Sequence, residues 1–84
     1  MFQLLEEEGV ITPKMPRVGS SLVIDAQKFT VVERLKEPTD ALKYFLVVDP
    51  NGELQVLRAT FLNRGKGCWY QRLAEAKERE RALA

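Results

Sequence analysis

Tyr44-Phe45-Leu46-Val47-Val48-Asp49-Pro50-Asn51-Gly52-Glu53-Leu54-Gln55-Val56-Leu57 is the stretch from which the fold is read. Its first five residues are apolar on both faces, as in a central strand covered from both sides. Asp49 suits the first position of a turn and Pro50 presets the second. Gly52 supplies the positive φ that a G1-bulge hairpin requires. Leu54-Gln55-Val56-Leu57 is then the return strand. The reading buries Leu46, Val48 and Val56.

Upstream lies a second hairpin. Leu22-Val23-Ile24 passes through the short polar link Asp25-Ala26-Gln27 into Phe29-Thr30-Val31-Val32-Glu33-Arg34-Leu35. There Phe29, Val31 and Leu35 share one face at period two, and Thr30, Val32 and Arg34 share the other. Phe29 and Val31 join the expected core. Glu37-Pro38-Thr39-Asp40 breaks the run. Strands are thus predicted near 21–25, 28–35, 43–49 and 53–58. Before them, two prolines and a glycine make residues 12–20 an extended linker. Phe2 to Glu8 can form about two helical turns, with Gly9 as the left-handed stop.

Downstream the signals weaken. Ala59-Thr60-Phe61-Leu62 reads as a single turn before a closing strand, and Gly65-Lys66-Gly67 as a flexible loop. Cys68-Trp69-Tyr70 favours a short strand by propensity and equally fits the first turn of the final helix. Leu73 to Ala84 favours helix at nearly every residue, with Glu75 and Arg79 at i, i+4. Its apolar face of Leu73, Ala76 and Leu83 is small, and Glu80 interrupts it. The segment is therefore expected to project as a charged tail unless a partner covers it.

These elements define a mainly β domain of four to five antiparallel strands over residues 21–72. An N-terminal arm or short helix occupies 1–20, and a charged C-terminal helix occupies 73–84. Val18-Gly19-Ser20-Ser21-Leu22-Val23-Ile24-Asp25, then Phe29 to Glu33, then Tyr44 to Leu57, resemble the opening of SH3-like and KOW-type β-barrel modules. The resemblance spans about half the chain and implies a small barrel. It carries no functional residue with it, because such barrels host both nucleic-acid binders and protein binders.

Composition narrows the chemistry. Eighty-four residues make one domain with a thin core. The single Cys68 permits no internal disulfide, which points to a reducing cytoplasm. The apolar run Tyr44–Val48 is too short to span a bilayer, so no membrane partner is expected. The chain has no histidine, so the usual general base and any Cys/His metal site are missing. The carboxylates fall in a run (Glu6–Glu8), in turns or beside basic residues, as solvated surface charge does. Gly65-Lys66-Gly67 lacks the length and trailing Lys-Ser/Thr of a P-loop. Cys68 reads as a packing residue or ordinary thiol, with no second cysteine to resolve an oxidised form. A non-enzymatic protein without cofactor or metal is expected.

The net charge of +1 is not the bulk positive charge of a strong nucleic-acid binder. It conceals alternating blocks, acidic over 1–13 and 37–62, basic over 14–36 and 63–84. In the last basic block, with Arg58 just before it, Arg58, Arg64, Lys66, Tyr70 and Arg72 gather around a glycine loop with Trp69. Cations that neutralise phosphates, together with aromatic faces that stack on bases, form the combination a nucleic-acid surface needs. The competing reading makes Trp69 a core plug and the cations ordinary surface. The expectation is a nucleic-acid-binding accessory or regulatory protein, with DNA and RNA not distinguished. The alternative is a protein-binding adaptor or inhibitor acting through a barrel edge strand or a terminal segment. Oligomeric state is not legible.

Overall fold

The Asp49–Gly52 turn forms as its residues dictate. Gly52 sits at φ 84°, and its N–H donates to the Asp49 carbonyl at 2.9 Å. Asp49 Oδ1 accepts the amides of Asn51 at 2.9 Å and Glu53 at 2.8 Å, closing the turn from its side chain. Around it, the computed structural model describes residues 9–35, 39–63 and 67–84.

Those residues build strands β1 (Val10–Thr12), β2 (Ser21–Ile24), β3 (Gln27–Arg34), β4 (Leu42–Val48), β5 (Leu54–Leu62) and β6 (Cys68–Leu73), then helix α1 (Ala76–Leu83). All pairings are antiparallel, in the order β1-β6-β5-β4-β3-β2. The sheet curls into a nearly closed barrel. The two outer strands, β1 and β2, face each other across its seam. The expected helix over Phe2–Glu8, the break at Glu37-Pro38 and the loop residues Gly65 and Lys66 lie outside the described residues. No described helix is long and apolar enough to cross a membrane.

The interior is filled by Ile24, Phe29, Val31, Phe45, Val47, Leu57 and Ala59, with Val10, Met15, Leu22, Trp69 and Leu73 packed against them. Phe29, Val31 and Val56 are buried as predicted. The phase of β4 is reversed: Lys43, Phe45 and Val47 are buried, while Leu46 and Val48 are only half-buried. A strand apolar on both faces has no phase of its own, and its partner sets one. Phe45 stands opposite Leu57, and Lys43 opposite Ala59, so the inward residues of β5 select the inward residues of β4. Val56, opposite Leu46, is buried on the outer face.

Leu35 also departs from the simple alternation. Val31 pairs with Val47 but Glu33 pairs with Leu46, so Val32 is the extra residue of a β-bulge and is 45% exposed. The bulge shifts Leu35 off the face of Phe29 and Val31, and its N–H donates to the Tyr44 carbonyl at 2.9 Å. Such a bulge bends the strand, which helps an antiparallel sheet curl.

Three further differences are tertiary in origin. Residues 59–62 continue β5 rather than turning, because Cys68–Trp69–Tyr70 pair with them as Leu62↔Cys68, Phe61↔Trp69 and Thr60↔Tyr70. The same pairing makes 68–73 a strand. The linker expected from residue 12 begins only after β1, whose residues pair with Trp69, Tyr70 and Gln71. Buried Gln71 pins that pairing: its Nε2 donates to Thr12 Oγ1 at 3.1 Å and to the Lys14 carbonyl at 3.4 Å. Gly9 does not adopt positive φ. Its bare Cα is needed for another reason, since a Cβ there would run into the Tyr70 ring and the Gln71 carbonyl.

Candidate functional site

Antiparallel register brings residues far apart in sequence onto one face of the sheet. Tyr44, Arg58 and Arg72 form a row across β4, β5 and β6. The next row holds Leu42, Thr60, Tyr70 and Ile11. Both rows lie on the outside of the barrel, because the intervening Lys43, Ala59 and Gln71 are the buried ones. Three members of the predicted cluster, Arg58, Tyr70 and Arg72, therefore share one outward face. Arg64 and Lys66 lie outside the described residues. Trp69 is on the opposite face, packed against the core and edge-on to Phe61 with ring centroids 5.2 Å apart. Its weight is structural.

Two residues of this face were not singled out in the sequence. Tyr44 was hidden within an apolar run whose phase the sequence leaves open. Glu78, on α1, closes the site from outside. Its Oε2 accepts Arg58 Nη1 at 2.9 Å, and its Oε1 accepts Arg72 Nη1 at 3.3 Å. Oε1 also accepts the Glu75 amide at 3.1 Å, as the third helical residue of a capping box does. Arg72 Nη1 makes a further bond to the Leu73 carbonyl at 2.9 Å. Burial opposes the charge on Glu78, but the Glu75 amide and the Arg72 and Arg58 guanidiniums outweigh it. Its carboxyl is held below its ordinary value.

The helix is thus not a free tail. It packs against β5, yet it has no buried residue, and Leu83 is 53% exposed. The side turned to the barrel carries Glu78, Arg79 and Ala82, which are half-buried, rather than the expected Leu73, Ala76 and Leu83. Among the described residues, one carboxylate bridges these two guanidiniums, so the trio carries a net charge of +1. Arg58 Nε is buried without an acceptor among the described residues.

A second feature lies at the barrel seam. The connector from β1 to β2 walls an open groove of about 900 Å³, lined by Pro13, Met15, Pro16 and Leu22, with Gln71 among its polar residues. Among the described residues, no three Cys, Asp or Glu side chains are grouped to hold a metal ion. Comparison with protein families, characterised proteins and solved structures gives no match for this chain.

Proposed function

We propose that this chain is a non-enzymatic nucleic-acid-binding accessory protein, an SH3-like or KOW-type module that uses the outer face of β4–β6. The observation that supports this reading is the row of Tyr44, Arg58 and Arg72 beside Tyr70. It sets two guanidiniums beside two aromatic side chains on one face of the sheet. Guanidiniums match phosphate oxygens in geometry and charge, and aromatic rings stack on any base. Arg64 and Lys66, in the segment joining β5 to β6, extend the basic character of the same sequence block.

Titration of labelled single-stranded DNA and RNA against increasing salt tests it. Three or four phosphate contacts give a log–log slope of roughly −2 to −4. Lys66→Glu then weakens binding to all sequences alike. Tyr70→Ala costs about 1–3 kcal/mol with the slope nearly intact. No binding by the wild type or by variants at this face, at moderate salt, removes the proposal.

A second reading, a protein-binding adaptor or inhibitor, draws support from the apolar groove beside the β1 and β2 edges. Sheet edges are templates for an added strand. Pull-down from source cells with and without nuclease separates the two, because only the first reading loses its partners on nuclease treatment.

A further inference from the structure

We infer that the Arg58–Arg72 pair is a phosphate-binding site whose resident occupant is the chain's own Glu78, so that α1 competes with nucleic acid for the sheet face. This rests on the nucleic-acid reading above and adds to it a mode of regulation. The two arginines are cross-strand partners. Each offers an Nη1 to a different oxygen of one carboxylate. A backbone phosphodiester likewise presents two anionic oxygens, and replacing one such anion by another conserves the charge-assisted bonds.

Three features make the occupant displaceable. First, no α1 side chain is fully buried, so its apolar contact with the barrel is limited to half-buried residues such as Ala82. Second, the capping-box bond of Glu78 lies within the α1 end of the chain, so losing the arginine bridges does not itself break it, and an eight-residue helix off the barrel then frays. Third, Arg58 Nε lacks an acceptor among the described residues, so the carboxylate does not use all the donors present. A strand adds further acceptors beyond that pair of oxygens, its ester oxygens and the next phosphate, and these can serve that donor. The helix also carries Lys77, Arg79 and Arg81. When lifted, it removes one negative charge from the face and leaves these cations near the ligand.

A ligand that must displace an internal competitor binds in proportion to the fraction of open molecules. Glu78→Gln keeps the capping geometry and removes the charge. In the full-length chain it is expected to bind single-stranded oligonucleotide about tenfold more tightly than wild type. Its salt slope should steepen by less than about 1, because salt also weakens the Glu78 bridges that a ligand must displace in the wild type. Circular dichroism and thermal melting establish that the variant is folded. Hydrogen exchange of the wild type gives a reading that needs no variant: adding oligonucleotide should accelerate exchange at the α1 amides. If wild type and Glu78→Gln bind equally and α1 protection is unchanged, the competition is disproved while the nucleic-acid reading stands. If neither protein binds oligonucleotide, both fail together. If only Glu78→Gln binds, both hold, and the wild-type face is closed by its own helix.

Discussion

Ala26 stands in left-handed backbone space at φ 63°, next to Asp25 at φ 53°. Ile24 pairs with Gln27 across them, which makes a two-residue hairpin turn with both central residues at positive φ. Such a turn prefers Gly second, because a Cβ there crowds the backbone. Ala26→Gly is therefore expected to raise stability by up to about 1 kcal/mol, the strain relieved exceeding the added unfolded-state entropy. Gly52→Val is the opposite case, since it forces a β-branched residue to φ 84° and should cost more than about 1 kcal/mol. Urea unfolding of both variants checks the pair, with midpoints moving in opposite directions. The Gly52 requirement was legible in the Asp-Pro-Asn-Gly string. The Ala26 strain was not, because Asp-Ala lacks the glycine that marks such a turn.

At the scale of the element, α1 was legible from propensity, but its attachment was not. Its apolar positions are few, and read alone they imply a projecting tail. The structure instead docks the helix through Glu78, whose partners Arg58 and Arg72 lie on strands that no local pattern pairs with it. Just before the helix, the Ala74 amide donates to the Val56 carbonyl at 2.8 Å, drawing the chain over outer-face Val56. Truncation before Glu75 should therefore destabilise by about 2 kcal/mol, through loss of partly buried charged hydrogen bonds and of contact over β5. For a domain this small that corresponds to roughly 10 °C in Tm. A melting temperature within a degree or two of wild type would show that the Glu78 bridges contribute nothing to stability.

At the scale of the whole molecule, two carboxylates among the described residues are held below their ordinary values and make stability depend on pH. The Glu53 amide lowers the Asp49 pKa, against burial, with help from the Gln55 side chain and the Asn51 amide. Glu78 is lowered as described above. A carboxyl held below its unfolded value adds stability that is fully present above that value. The ordinary values here are 3.8 and 4.5. The contribution is lost as pH falls through the lower folded values. With no histidine in the chain, Tm should be nearly flat between about pH 6 and 8 and decline below about pH 4. Asp49→Asn and Glu78→Gln should each make that decline shallower, and an unchanged acid limb in both would refute the assignment.

What the sequence determined by itself is local. Tyr44 to Leu57 encodes a hairpin because a β-forming run, a proline, a turn-forming Asp49 and a glycine fall within a few bonds of one another. The chain end encodes a helix because propensity acts residue by residue, but it starts at Ala76, since Leu73, expected to open it, pairs with Leu57 as the last residue of β6. The tertiary structure decided whatever depends on a distant partner. Register against Leu57 and Ala59 chose which side of β4 turns inward. Pairing with β6 turned residues 59–62 and part of the expected arm into strand. The same register placed Tyr44, Arg58 and Arg72 in one row, and docking of α1 laid Glu78 across two of them. Phase, pairing and ion-pair partnership are relations between segments, and their energies exist only when the segments meet.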